Sequence, residues 1–319
     1  MGFFDFFSST IGVDPGSENL RLIHENNIVF DESTLISVYK ENGKVTGIGN
    51  KIISDNNHKV FIPINRIIKD FHAFEQLLRN AIKNSIYPNR MILPSHTFFV
   101  AIPPSYSEVD KRAYRDSGEH SGGKKVNMIH QSICQAINMN ILYKKKHFVL
   151  VDFGASKIEV SIFADSKEIS STLIPLGTKK LQDALRNHFL RKHQLKLNES
   201  QVIKILKEIS NSGESMMIEN KTIATKEVKR VLAPYFEIIE DYLLQTIEQE
   251  VNHSKINQII SNGFYFTGGG ATMPWIIKEI TKNTPQINTN LSDDPFHDTI
   301  KGLNTIIHDS EKYQSVILL

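Results

Sequence analysis

Two segments of this chain, IGVDPGS at residues 11–17 and VLVDFGAS at residues 149–156, share the order of an apolar run, an aspartate, one further residue and a glycine. The apolar run predicts a buried strand, and the glycine predicts a tight turn directly after it. One Asp-x-Gly alone is weak evidence, because aspartate and glycine are common turn residues. Its recurrence at the same point of two similar halves is more specific, and it predicts that the chain contains two copies of one α/β plan.

The first half is predicted to begin with a β-meander. Glu25-Asn26 and Asn42-Gly43 are turn signals between apolar runs, and Asn-Gly in that setting is a strong hairpin signal. The spacing of apolar residues predicts the elements of this half as strands at residues 11–13, 20–24, 27–30, 35–40, 45–48 and 97–102, and helices at residues 71–86, 108–117 and 126–138.

The plan starts again at residue 148, which predicts a domain boundary near residues 144–146. The elements predicted for the second half are strands at residues 148–152, 158–163, 168–175 and 264–267, and helices at residues 179–189, 199–209 and 226–251 and after Pro274.

The composition is that of a globular chain long enough for two domains, with 319 residues of which 40% are hydrophobic. The formal charge of +2 argues against nucleic acid as the main partner. Cys134 is the single cysteine, which excludes an internal disulfide framework and favours a cytoplasmic location. No apolar run approaches the roughly 18 residues of a membrane span, and no signal-peptide pattern is found.

The segment MGFFDFF at residues 1–7 contains four phenylalanines. Two interpretations stay open: the segment folds onto the body of the protein, or its rings insert shallowly into a lipid interface, where aromatic residues are favoured. Phe6 stands where a myristoylation motif requires Ser or Thr, which excludes that modification.

The paired Asp-x-Gly turns indicate a nucleotide site. Two such hairpins facing each other across a cleft can direct backbone N–H groups at a phosphate, while Asp14 and Asp152 orient a hydrated Mg²⁺. A third segment, FYFTGGGA at residues 264–271, is an apolar strand that runs into three glycines. Glycines there allow the backbone to approach a flat ligand closely, whereas a tight turn alone accounts for one or two of them.

With these loops in view, the chain resembles the actin-like ATPase superfamily and, within it, the MreB family of bacterial actins. The segments that carry the resemblance are IGVDPGSEN (11–19), PPSYSEVDKRAYRDSGEHSGGKKVNMIHQSICQAI (103–137), VDFGASKIEV (151–160), FTGGGAT (266–272) and DDPFHDTIKGL (293–303). Together they span nearly the whole chain, and AYRDSGEHSGGKKVNMI is the most specific part, since folding alone does not demand its mixture of charge and glycine.

The resemblance implies an α/β, two-domain, actin-like fold of the duplicated ribonuclease H-like type, with a nucleotide cleft between the domains. Domain I is expected at residues 1–145, completed by residues 299–319, and domain II at residues 146–298. ATP and Mg²⁺ are the implied cofactors. The implied partners are further copies of the chain in a filament, the inner membrane surface and proteins of cell-envelope synthesis, at a cytoplasmic location peripheral to that membrane.

The resemblance also places the site residues. Gln131, Asp14 and Asp152 are the expected catalytic residues, and the two aspartates are the expected metal-side ligands. The residues expected to bind the nucleotide are Gly16, Ser17, Asn19, Gly154, Ala155, Ser156, Lys157, Gly268, Gly269 and Gly270.

Several residues depart from the family pattern. The second loop lacks two glycines and both threonines of Asp-Ile-Gly-Gly-Gly-Thr-Thr-Glu, and Glu18 puts a carboxylate beside the expected phosphates, which Arg21 or Lys157 could offset. Gln131 stands where the family has a glutamate, so it can orient water but cannot act as a base. The family has a polar Glu-x-x-Lys pair that holds adenosine. Ile203 and Leu206 stand at those two positions here, so both polar contacts are lost.

Three functions follow as alternatives. The favoured one is an ATP-binding, membrane-associated cytoskeletal filament with slow hydrolysis, a possible weak ATPase. The second is a scaffold of actin-like fold that has lost nucleotide turnover, and the departures would explain it directly. A sugar-kinase-like phosphotransferase is disfavoured, because no motif for a substrate pocket with a catalytic aspartate is found. Residues 86–93 are comparable in position to the family's lipid-facing loop, although core packing accounts for them better.

Overall fold

The computed structural model describes residues 9–90, 94–250 and 253–318. The chain forms two compact units: unit 1 comprises Met1–Ile141 with His297–Leu319, and unit 2 comprises Leu142–Phe296. The corresponding boundaries expected from the sequence lie a few residues away, at 145/146 and 298/299.

Unit 1 is built mainly from short strands. Its strands up to residue 141 are β1 (Ser9–Pro15), β2 (Asn19–His24), β3 (Asn27–Ser33), β4 (Ile36–Tyr39), β5 (Val45–Ile48), β6 (His58–Phe61), β7 (Ile64–Asn65), β8 (Ile67–Ile68), β9 (His96–Ile102) and β10 (Gly123–His130). Its helices over the same stretch are α1 (Phe71–Ser85), α2 (Glu108–His120) and α3 (Gln131–Asn138).

Unit 2 repeats the sequence of strands followed by helices. Its strands are β11 (His147–Phe153), β12 (Ile158–Ala164), β13 (Lys167–Ile174), β14 (Ser215–Ile218), β15 (Lys221–Ala224), β16 (Phe264–Thr267) and β17 (Thr289–Leu291). Its helices are α4 (Thr178–His193), α5 (Glu199–Glu208), α6 (Thr225–Glu250), α7 (His253–Asn262) and α8 (Pro274–Ile280), after which α9 (Asp298–His308) returns the chain to unit 1.

Each unit has one five-stranded mixed sheet, and the two sheets have the same topology. Unit 1 has the order β10-β9-β1-β2-β3 and unit 2 the order β13-β12-β11-β16-β17. In both, an antiparallel meander of three strands carries two further strands parallel to its first strand. This common topology confirms the two copies of one plan that the paired Asp-x-Gly segments predict.

The turns of the meander follow from local sequence. Glu25 and Asn26 both have positive φ, which a two-residue hairpin between β2 and β3 requires. Gly43 lies between β4 and β5 with φ of +69°, and nothing lies within 4 Å of the position a Cβ would take. Both predicted hairpins are confirmed.

The helix predicted at residues 126–138 is wrong in its first part. Residues up to His130 form β10, paired parallel to β9, and only Gln131–Asn138 is helical. Val126, Ile129 and Ile133 have helical spacing in the sequence, but Asn127, Met128 and Ile129 form a run of buried residues within the sheet. A strand buried on both faces has no alternation, so periodicity cannot separate it from a helix.

Helix α9, near the C-terminus, packs closely against α3. A Cβ on Gly302 would lie 1.8 Å from the Cys134 carbonyl oxygen, so the two backbones touch at this point. Asn138 donates to Asp298 at 2.6 Å, and Gln135 donates to Thr299 at 2.9 Å. These contacts fasten the end of the chain to the same helix that begins at Gln131.

Candidate functional site

The first loop places Asp14 at the end of β1, where it is 4% exposed. Asp14 lies opposite Arg21 in the antiparallel pair of β1 and β2, and the Arg21 guanidinium donates to its Oδ2 at 3.3 Å. Arg21 also pairs with Asp31 at 3.1 Å. Burial raises the pKa of Asp14, although Arg21 and Gln131 act to lower it. The carboxylate is therefore held rigidly but is costly to keep charged.

The turn after Asp14 is tied to its own unit. The Gly16 N–H donates to the Asp14 carbonyl at 3.1 Å, and the Gly16 carbonyl accepts from the Thr34 hydroxyl at 2.6 Å. A Cβ on Gly16 would lie 2.6 Å from the Asn19 carbonyl oxygen, so the turn closes only with glycine here. Ser17 accepts from the Arg66 N–H at 3.2 Å, and the Asn19 amide donates to Asp31 at 2.8 Å.

Gln131 begins α3 and reaches the same carboxylate. Its Nε2 donates to Asp14 Oδ1 at 3.1 Å, across 117 positions of sequence. This bond orients the amide so that its carbonyl oxygen can accept from a water molecule. Two of the three predicted catalytic residues, Asp14 and Gln131, are thus in direct contact.

The second loop, at residues 154–157, joins β11 to β12. A hydrogen bond joins the two ends of the loop, since the Gly154 N–H donates to the Lys157 carbonyl at 3.0 Å. The start of α4 is bonded to it as well, since the Thr178 and Lys179 N–H groups donate to the Gly154 and Ala155 carbonyls at 3.1 and 3.0 Å. Residues 154–157, including Ser156, are half-buried, so the loop has a fixed shape and an accessible face.

Lys157 forms an ion pair within unit 2. Its ammonium group donates to Glu159 at 2.9 Å, and the two side chains are 12% and 6% exposed. The Ser171 hydroxyl donates to the other Glu159 oxygen at 2.8 Å. The Glu159 carboxylate therefore partly balances the positive charge of Lys157, which weakens the electrostatic attraction between Lys157 and a phosphate.

The third loop follows β16, which pairs parallel to β11 so that Thr267 lies beside Asp152. Gly268 has φ of +81°, and a Cβ there would lie 2.2 Å from Asp152 Oδ1. A Cβ on Gly270 would lie 2.4 Å from the Phe153 ring. Packing inside unit 2 therefore requires both of these glycines.

Gly269 is different. A Cβ on it would meet only the Phe296 ring, at 3.7 Å, which is ordinary van der Waals contact. Neither the backbone nor a neighbouring residue excludes a side chain, so the open space fits the close approach of a flat ligand that the sequence predicts. The glycines continue as a 3-10 turn, Gly269–Thr272, and α8 begins at Pro274, where the sequence predicts a helix.

Ile203 and Leu206, which stand where the family's adenosine-holding pair is expected, lie on α5. Leu206 is fully buried in the core of unit 2, and its carbonyl accepts from the Trp275 indole N–H at 2.7 Å. Ile203 is half-buried. The buried Leu206 side chain contributes to the packing of unit 2.

The predicted site residues thus fall into two groups. Unit 1 holds Asp14, Gln131 and the turn of the first loop, and unit 2 holds Asp152 with the second and third loops. Two ion pairs were not predicted from the sequence: Arg21–Asp14 and Lys157–Glu159. The turn signal at Pro15-Gly16 does not give the first pair, because residues 14 and 21 lie symmetrically about Ser17 and Glu18 instead.

Residues 1–7 lie outside the described part of the chain, as do residues 91–93 of the segment at 86–93. Among the helices that the structure describes, none combines the length and apolar character needed to cross a bilayer.

Comparison with known proteins agrees with this fold. A sequence model of the family described as MreB/Mbl protein matches residues 8–315. The cell shape-determining protein Mbl of Bacillus subtilis is 24% identical over 291 residues, which cover 84% of this chain and 86% of the relative.

Two solved structures extend the comparison. MreB 5 of Spiroplasma citri bound to AMPPNP superposes with a TM-score of 0.85 at 17% identity, over 97% of this chain and 98% of that one. A MamK double helical filament gives a TM-score of 0.73 at 13% identity, over 94% and 98% of the two chains. These likenesses confirm the predicted two-domain actin-like α/β fold.

Proposed function

Because this chain belongs to the MreB/Mbl family, we propose that it is a cytoskeletal protein that binds ATP with Mg²⁺ and assembles into filaments on the inner membrane surface. The filaments contribute to cell shape, together with proteins of cell-envelope synthesis. Curated relatives named as cell shape-determining proteins support this role, and the filament structure of MamK supports self-association. The two domains of the chain are proposed at residues 1–145 with 299–319 and at residues 146–298.

The observation that carries nucleotide binding is the open space at Gly269, next to an Asp152 carboxylate packed against Gly268. The structure of a similar protein bound to AMPPNP supports the same ligand class. Asp14 and Asp152 are the residues that would hold hydrated Mg²⁺, which when bound would neutralise phosphate charge. The backbones of the loops containing Gly16, Gly154 and Gly269 would position the phosphates and the base.

Hydrolysis is expected to be slow. Gln131 donates to Asp14 through Nε2, so its carbonyl oxygen can orient a water but cannot remove its proton. Arg21 keeps the Asp14 carboxylate in place with an ion pair. The nucleotide would then act mainly by favouring the polymer-competent conformation of the chain.

The first experiment is a titration of the full-length protein with labelled ATP and Mg²⁺, measured alongside phosphate release. We expect saturable binding with little release. Gly269→Val should weaken binding at least tenfold, because the side chain would occupy the space that the fold leaves open. The melting temperature should change little, since no neighbour lies closer than 3.7 Å.

Gly213→Val is the matched control, because Gly213 is an exposed loop glycine of unit 2 with nothing within 4 Å of its Cβ position. It should leave affinity unchanged. Equal affinity in both variants would rule out the Gly269 loop as the site. No binding at millimolar nucleotide, together with filaments that form without ATP, would favour the scaffold that has lost nucleotide turnover.

A further inference from the structure

A cluster of two histidines and a glutamate lies in unit 2, apart from the three glycine loops. His188 and His193 on α4 each place Nε2 2.6 Å from Oε1 of Glu227 on α6. The three side chains are between 17% and 24% exposed. Their candidate ligand atoms all lie within 4.8 Å of one another, and within residues 9–90, 94–250 and 253–318 no other group of three His, Cys, Asp or Glu residues meets this geometry.

We propose that His188, His193 and Glu227 form a binding site for a divalent transition metal ion, with Zn²⁺ as the first candidate. Two imidazole nitrogens and one carboxylate oxygen are a ligand set that zinc prefers, and a fourth position remains for water. Imidazole nitrogens make Ca²⁺ and Mg²⁺ poor candidates, since both prefer oxygen ligands.

The geometry needs only a small adjustment to accept the metal. In the metal-free cluster each Nε2 shares a hydrogen with the carboxylate, and metal binding uses the nitrogen lone pair instead. The hydrogen leaves to solvent from a charged imidazole or moves to Nδ1 in a neutral one. Tetrahedral coordination with bonds of about 2.0–2.2 Å separates neighbouring ligand atoms by roughly 3.3–3.6 Å, so the 2.6 Å contacts open by about 0.7–1.0 Å.

Lys192 is already bonded to this carboxylate, and it is compatible with the metal. Its ammonium group lies 2.9 Å from Oε2 of Glu227, whereas both histidines contact Oε1. Lys192 would therefore orient the carboxylate from the outside while Oε1 binds the ion, as outer partners do at other metal sites. Its side chain is 56% exposed, so it can also turn into solvent at little cost.

The position of the cluster gives the metal a structural consequence. His193 is the last residue of α4, and Glu227 lies in the first turn of α6. The chain between them forms a lobe of α5 and the β14–β15 hairpin, which packs into the core of unit 2. Lys221 of the hairpin also donates to the His193 carbonyl. A bound ion would join both ends of the lobe and make its opening more costly.

The test is a Zn²⁺ titration of the metal-stripped full-length protein against a chromophoric chelator. We expect one site with micromolar or tighter affinity, and at least a tenfold loss of affinity in His188→Gln and in His193→Gln. Zn²⁺ should raise the melting temperature of the unaltered protein, and a chelator should reverse the rise.

His58→Gln is the matched control, since His58 also lies 2.6 Å from a carboxylate, that of Asp55, but the described part of the chain adds no third ligand to that pair. It should retain the affinity. Co²⁺ bound to the unaltered protein should give the strong visible absorption of a four-coordinate site, a readout that does not depend on the variants folding. Zn²⁺ binding that is absent, or equal in all variants, would overturn the proposal. So would a Co²⁺ spectrum of six-coordinate type.

Discussion

His96 shows how burial of one side chain can set a pH dependence. It lies in β9 with no exposed surface, its Nδ1 is 2.9 Å from the Ser9 hydroxyl, and its ring stacks on Tyr87 at 5.6 Å. Burial lowers the pKa of His96 to about 4, with a smaller contribution from the nearby charge of His24. The folded protein therefore keeps this imidazole neutral at pH values where the unfolded chain protonates it.

Stability should accordingly fall as pH is lowered from about 6.5 to about 4, because over that range the unfolded state binds a proton that the folded state does not. The loss of folding stability approaches about 1.4 kcal/mol for each pH unit in this range, and it levels off below the pKa of His96 in the folded protein. Urea unfolding at several pH values should show a shallower dependence for His96→Asn than for the unaltered protein. His72→Asn, which removes an exposed histidine, should keep the original slope. Equal slopes in all three proteins would contradict the assignment.

At the scale of elements, the contact between α3 and α9 depends on residue 302 being a glycine, which has no side chain. Gly302 allows α9 to touch the Cys134 carbonyl of α3, and the bonds from Asn138 to Asp298 and from Gln135 to Thr299 follow from that closeness. Helix propensity alone would favour alanine at residue 302 by about 1 kcal/mol. Close packing against α3 requires glycine at this position, and the packing effect is larger than the propensity effect.

Gly302→Ala should therefore destabilise the protein by about 1–3 kcal/mol, because a Cβ at 1.8 Å from a backbone oxygen forces the helices apart. Chemical denaturation measures the change in the free energy of unfolding. Gly213→Ala, at an exposed and open position, should stay within about 0.5 kcal/mol of the unaltered protein. A stabilising effect of Gly302→Ala would show that α9 does not pack on α3 in this way.

At the scale of the whole molecule, the two units carry the same sheet topology but different additions. Unit 1 has a second, three-stranded sheet of β4, β5 and β6, and unit 2 has the lobe of α5, β14 and β15. The shared sheets place Asp14 and Asp152 at equivalent strand ends, each within its own unit. The additions differ, so the surfaces of the two units differ as well.

The proposed membrane association concerns the whole chain and rests on the four phenylalanines of residues 1–7. The full-length protein should pellet with liposomes of bacterial lipid composition, and a chain that lacks residues 1–7 should pellet less. Replacing Phe3, Phe4, Phe6 and Phe7 by serine keeps the length and should have the same effect. Equal pelleting of all three would exclude the terminal segment as the anchor.

The amino-acid sequence by itself determined the repeated plan, the hairpin turns and the positions of the glycine loops. Those features depend on neighbours in the chain: Glu25-Asn26 and Asn42-Gly43 set their turns through local backbone preferences, and the apolar run before Asp152 marks a buried strand. The resemblance of the loops to a known family then identified the fold.

Only the tertiary structure decided which distant residues meet. Residues 126–130 form a strand because β9 lies beside them, Gln131 reaches Asp14 across 117 positions, and His188 and His193 converge on Glu227 of another helix. No local pattern encodes these pairings, because their free energy comes from burial and hydrogen bonding between segments that are adjacent only after folding. The departures at Gln131 and Lys157 were visible in the sequence, but their partners, Asp14 and Glu159, were found only in the folded chain.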